Sequence, residues 1–154
     1  MPKKSDVNVV RLQNPTVFLA AEVQDLFRKA FAANELVHFD DNQTAFMELV
    51  ADPYAGVFVG QEGGKLLGLG IIMLPATALQ KKPRVFHFWC EGSAALRRAL
   101  QNAGLAYMRE AGYTSFWAIN ATGAQAQVYA RLYKGMGKAR ELGTVVEFDF
   151  SESG

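Results

Sequence analysis

Cysteine is nearly absent. Cys90 is the single thiol in 154 residues, so the chain cannot close an intramolecular disulfide or build a cysteine-based metal cluster. That scarcity fits a reducing compartment. Long apolar runs are missing as well. The longest, Leu66 to Leu74, is interrupted by Gly68 and Gly70 and is too short to span a bilayer. The first residues, MPKKSDVNVV, carry no extended apolar segment of the kind a secretory leader needs, and the expected location is cytoplasmic. An excess of one charge is lacking too: 16 Lys and Arg stand against 15 Asp and Glu, a formal +1. The basic pairs Lys3-Lys4, Lys81-Lys82 and Arg97-Arg98 are small, which argues against a nucleic-acid binder and against an anionic-membrane binder. Histidine is scarce, and His38 and His87 stand too far apart, with no ligand pattern around either, to suggest a metal site. No internal repeat or low-complexity tract appears. What remains is ordinary for a globular chain: half the residues are hydrophobic and a fifth are charged. The length suits one domain, residues 1–154, with a sizeable core and a polar tail at 151–154.

Val7 to Leu12 is a β-branched run that reads as a first strand. Asn14-Pro15-Thr16 opens a helix, with Asn14 or Thr16 as its N-cap and Asn34 as its stop. Val23, Leu26, Phe27, Ala30 and Phe31 recur at helical spacing and predict one buried face. A connector containing His38 leads to a short helix capped by Asp41 or Asn42 and ended at Asp52-Pro53. Strands at Gly56–Gln61 and Leu66–Leu74 flank Glu62-Gly63-Gly64-Lys65, a hairpin signal. After the loop Pro75–Pro83, the pattern predicts a strand at Arg84–Cys90, a long helix at Ser93–Ala111 closed by Gly112, and a strand at Thr114–Asn120. A helix from Ala124 to about Lys134 and a last strand at Val145–Phe150 complete the chain. The order β-α-α-β-β-β-α-β-α-β combines an antiparallel hairpin with a strand–helix–strand crossover. It predicts an α/β single domain with a mixed sheet and flanking helices.

The stretch Val85 to Arg98, VFHFWCEGSAALRR, organises the rest. A strand running directly into a helix leaves free backbone N–H groups at the helix start, where an anion can be held. Small residues at Gly92, Ser93, Ala94 and Ala95 let a ligand approach the backbone, and Arg97 and Arg98 add positive charge one turn in. Glu91 opposes an anion there. The plainer alternative is an ordinary turn with Ser93 as N-cap. Strand alternation places Val85, His87 and Trp89 on one face and Phe86, Phe88 and Cys90 on the other. A histidine in a strand is commonly a hydrogen-bonded structural residue. Cys90, with no activating base in view, reads as a small buried hydrophobe. Tyr129 and Tyr133 share one helix face and read most simply as packing. His38, beside Asp40 and Asp41, is either part of a polar connector or the rim of a substrate entrance.

This element order resembles the GNAT-type N-acetyltransferase superfamily over nearly the whole chain. In Glu91-Gly92-Ser93-Ala94-Ala95-Leu96, Gly92 and Ala94 match the small positions of the family's strand-to-helix turn. Glu91 and Leu96 replace its basic residue and its last glycine. Arg131-Leu132-Tyr133-Lys134-Gly135-Met136-Gly137 is similar to the family's helix end, with Lys138 where an aromatic is usual and without the asparagine often found before the tyrosine. The resemblance implies acetyl-CoA or another acyl-CoA as co-substrate, bound where two parallel strands splay apart. Its pyrophosphate would rest on N–H groups from Gly92 to Leu96, near Arg97 and Arg98. Its pantetheine would lie along the edge of Phe88, Trp89 and Cys90. Tyr133 would return a proton to the departing thiolate, and His87 could take one from the amine acceptor, whether a small molecule, a peptide or a protein. A homodimer is compatible with the pattern. The departures at Glu91, Leu96 and Lys138 leave open a non-catalytic CoA-binding or protein-interaction module on the same fold.

Overall fold

The computed structural model describes residues 6–34, 37–77, 79–119, 138–142 and 145–151. A seven-stranded mixed sheet runs through them in the order β1-β2-β3-β4-β5-β7-β6. Its strands are β1 (Val7–Leu12), β2 (Ala55–Glu62), β3 (Lys65–Met73), β4 (Arg84–Cys90), β5 (Ser115–Ile119), β6 (Lys138–Leu142) and β7 (Val145–Asp149). The helices are α1 (Ala21–Ala30), α2 (Gln43–Ala51) and α3 (Ala94–Glu110). The expected helix from Ala124 and the motif Arg131–Gly137, including Tyr129 and Tyr133, lie outside the described residues.

Alternation along the strands builds a core on each side of the sheet. Val57, Val59, Leu69 and Ile71 face α1 and α2, where Phe18, Phe27, Phe31, Phe39 and Phe46 pack on one another. Phe58, Ile72 and Val85 face α3, meeting Leu100, Leu105, Met108 and Phe116. Several α3-facing positions are glycines. A Cβ on Gly60 would lie 2.9 Å from Leu96 Cδ1, and one on Gly68 would lie 3.2 Å from Leu100 Cδ2. Bare backbone at these points lets α3 settle close to the sheet. At the hairpin, Gly63 and Gly64 take φ of 59° and 78°, the left-handed values a two-residue turn requires.

Three local expectations need correction. Asn14 does not start α1: its side chain accepts from Thr16 N–H at 3.0 Å and caps a separate 3-10 turn, Pro15–Leu19. The helix α1 begins after Ala20 and ends at Ala30. Asn34 instead shapes the following loop by accepting from Val37 N–H at 2.9 Å. The mostly charged run Lys138-Ala139-Arg140-Glu141-Leu142 carries no strand signal, yet it forms β6, which lies at one edge of the sheet among the described residues.

Candidate active site

Among the described residues the parallel pair β4 and β5 is joined at Arg84↔Trp117 and Val85↔Ala118, at the start of β4. The other side of β4 is irregular next to these pairs. Its register with β3 slips between Ile71 and Ile72: Ile71 pairs with His87 and Ile72 with Val85, which leaves Phe86 as an extra, bulged residue. A bulge bends and over-twists its strand. Pairing with β5 ends beside that bulge, and among the described residues, which stop at Ile119 on β5, the edge of β4 from Phe86 to Cys90 has no neighbouring strand on that side.

The bulge also overturns the expected faces of β4. Val85 and Phe88 point to the α3 side, whereas His87 and Trp89 belong to the α1 side. Phe86 is 40% exposed and its ring lies 6.4 Å from that of Phe31. A single extra residue thus separates Val85 from His87 and Trp89, with which strict alternation had grouped it.

His87 is half-buried and stacked on Phe31, with ring centroids 4.0 Å apart. Its Nε2 lies 2.6 Å from the Ala30 carbonyl at the end of α1. A carbonyl oxygen only accepts, so Nε2 carries the proton and Nδ1 holds the lone pair of the neutral ring. Burial pushes this imidazole below its ordinary pKa, and the Ala30 bond opposes that only in part. Cys90 is also half-buried. Burial pushes its thiol up, against the smaller influence of Gly92 N–H and Arg97. That environment suits an inert side chain.

At the end of β4 the chain turns into α3, with Ser93 as N-cap: its hydroxyl accepts from Leu96 N–H at 3.2 Å. The same turn receives a residue the sequence did not bring into the site. Glu62, at the end of β2, accepts from Ser93 N–H at 2.9 Å through Oε1 and from the Ser93 hydroxyl at 2.5 Å through Oε2. Both bonds hold the Glu62 carboxyl below its usual range. The donors expected to be free at Ser93 and Leu96 are therefore engaged within the chain. A helix start attracts the nearest carboxylate, and sheet pairing delivers Glu62 to it. Ala94 and Ala95 stand in the first turn of α3, where backbone N–H groups have no acceptor one turn earlier in the helix, and Ala94, Ala95, Arg97 and Arg98 are exposed. Leu96 itself is fully buried.

His38 is exposed, and its carbonyl accepts from Asn42 Nδ2 at 2.7 Å, while Asp40 pairs with Arg28 at 2.9 Å. A cavity of about 280 Å³ opens between the 3-10 turn and α2, lined by Phe18, Leu19, Gln24, Phe39, Gln43 and Met47 among others. Among the described residues no three His, Cys, Asp or Glu side chains converge, and no helix is long and apolar enough to cross a membrane.

The fold as a whole has counterparts among solved structures. A probable acetyltransferase from Staphylococcus epidermidis superposes with a TM-score of 0.70 at 12% identity, covering 95% of this chain and 100% of that one. The chain has the GNAT acetyltransferase fold. Two further GNAT-fold structures show its range. yncA from Salmonella typhimurium, solved with its cofactor acetyl-CoA, gives a TM-score of 0.65 at 15% identity and 95% coverage of both chains. The ribosomal-protein-S18-alanine N-acetyltransferase from Escherichia coli gives 0.61 at 14% identity and 97% coverage of both. No protein-family model matches the sequence, and no curated protein does. The GNAT likeness is therefore one of backbone architecture, carried with very different side chains.

Proposed function

We propose that the protein is an acyl-CoA-dependent N-acyltransferase that moves an acyl group, most simply acetyl, onto an amine by direct attack. The observation that carries this is the edge of β4 beyond Val85, which no strand covers among the described residues and which ends in the first turn of α3. An extended pantetheine arm can add to an unpaired strand edge as a peptide strand would. Ala94 and Ala95 N–H, with the exposed Arg97 and Arg98, suit a diphosphate at the end of that edge. Phe88, Trp89 and Cys90 supply the backbone for the arm, and Gly92, Ser93 and Leu96 shape the turn.

In this reaction the amine lone pair attacks the thioester carbonyl carbon, a C–N bond forms, and the C–S bond breaks to release a thiolate. Backbone N–H groups on the β4 edge polarise the carbonyl. Tyr133 returns a proton to the thiolate as it departs. The attacking nitrogen loses a proton, and His87 takes it through Nδ1, because Nε2–H is committed to Ala30. The acceptor belongs to the broad class of amines. The GNAT-fold enzyme named for the alanine of a ribosomal protein makes a peptide N-terminus one such candidate.

The test is ligand-dependent melting. A ligand at about 100 times its Kd stabilises the native state by about 2.7 kcal/mol, which for a domain of this size raises Tm by roughly 5–10 °C. Failure of millimolar acetyl-CoA and longer acyl-CoAs to move Tm would refute the assignment. With binding established, Tyr133→Phe is expected to keep the shift and slow thiol release by roughly a hundredfold.

A further inference from the structure

The turn that would receive a diphosphate already holds an anion of the chain's own. Glu62 closes β2 immediately before the Gly63-Gly64 turn, and antiparallel pairing of β2, β3 and β4 brings that end of the hairpin beside the end of β4. Its two carboxylate oxygens are spent on one residue, Ser93 N–H and Ser93 Oγ–H. The fit depends on the glycine next door, since a Cβ on Gly92 would lie 2.9 Å from Glu62 Oε1. Among the described residues the Ser93 bonds are the contacts that anchor the carboxylate. Among the described residues no Lys or Arg pairs with it, although Lys65 is its cross-strand partner and Arg97 and Arg98 lie one turn into α3. The backbone beyond it is two glycines with open space around both. Ser93 does not need it to cap the helix, because the serine hydroxyl bonds Leu96 N–H independently.

On the acyl-CoA assignment above, on which this inference rests, we propose that Glu62 is an internal competitor for the diphosphate. It occupies the Ser93 donors of the α3 turn, and acyl-CoA binds by displacing it. A diphosphate carries more charge than one carboxylate and can use Ala94 and Ala95 N–H at the same time, so it wins the exchange. Until it leaves, Glu62 repels the incoming phosphates. Two unit charges about 4 Å apart interact even in bulk water by an amount equivalent to roughly fivefold in affinity.

Titration calorimetry on the full chain tests this with acetyl-CoA and with S-acetylpantetheine, which lacks phosphate. The proteins are the parent chain, Glu62→Gln and Glu62→Ala. Glu62→Gln keeps an acceptor for Ser93 N–H and nearly the same shape, so it guards against a variant that merely folds poorly. Both variants are expected to bind acetyl-CoA roughly fivefold more tightly or better and S-acetylpantetheine unchanged. The Ser93 amide resonance of the parent chain is expected to move when acetyl-CoA is added. Acetyl-CoA affinity that is unchanged or weaker in both variants overturns the competitor role while leaving acyl-CoA binding intact. Equal tightening toward S-acetylpantetheine overturns it as well, because the effect would not lie at the phosphates. If none of the three folded proteins binds acetyl-CoA, acyl-CoA binding itself is refuted and the competitor role falls with it.

Discussion

Leu96 stands where the family's turn ends in glycine, and the structure turns that difference into a stability experiment. Its side chain is fully buried, and two glycines lie beneath it. A Cβ on Gly60 would meet Leu96 Cδ1 at 2.9 Å and Cγ at 3.3 Å, while one on Gly92 would meet Cδ2 at 2.6 Å. Carbon atoms pack best at about 3.5–4.0 Å, so a methyl at either position overlaps the leucine. The leucine has no solvent side to retreat to. Overpacking of this kind costs about 1–3 kcal/mol. Replacing glycine also restricts the unfolded chain, which returns about 0.4–1 kcal/mol. Gly60→Ala is therefore expected to destabilise by up to about 2.6 kcal/mol net. Leu96→Ala alone is expected to cost about 2–5 kcal/mol through lost burial and the cavity left behind. In the Leu96→Ala background the clashing atoms are gone and the new methyl enters the cavity. Gly60→Ala should there be neutral or stabilising. Urea denaturation of the four proteins, followed by circular dichroism with m held common, closes the double-mutant cycle. If Gly60→Ala costs the same in both backgrounds to within about 0.5 kcal/mol, Leu96 does not occupy the glycine floor and the packing argument is wrong.

Acid should weaken the fold through His87. Because burial lowers its folded pKa below the ordinary imidazole value, the unfolded chain takes up the proton first. The stabilisation is present above about pH 6.5 and is lost as pH falls through the folded value. Tm measured from pH 8 to 5 should fall, and His87→Gln should flatten that slope; an unchanged slope would contradict the burial argument. Glu62 has the same sign in the carboxylate range, since its lowered pKa makes the Ser93 contacts weaken only as pH drops further. Cys90, whose thiol burial pushes up, should react slowly with Ellman's reagent at pH 7.5 in the native protein and rapidly once unfolded. Rapid native reaction would show an accessible thiolate. Phe27 is completely buried, with the rings of Phe18, Phe46 and Phe39 at 4.8, 5.4 and 5.6 Å. Phe27→Ala should cost about 3–5 kcal/mol in chemical denaturation, and a loss under about 1 kcal/mol would mean the cluster is not the core of that layer.

The amino-acid sequence by itself determined the elements whose signals are local. The Gly63-Gly64 turn, the run Arg84–Cys90, Ser93 at the start of α3 and Gly112 after its end all lie where pattern and capping placed them, because each depends on residues within one or two turns. The mixed sheet followed from the order of those elements, and with it the parallel pair β4–β5. Only the tertiary structure decided what the site contains. The bulge at Phe86 is a property of how β4 pairs with β3, and it splits the faces that alternation had assigned. Glu62 lies 31 residues before Ser93, and no spacing rule joins a hairpin end to a helix start across two strand pairings. The α3 turn was therefore legible as an anion-binding geometry, but not as one holding the chain's own carboxylate. Capping and alternation are short-range and can be read along the chain, whereas strand register brings distant residues together and is fixed only when the sheet closes.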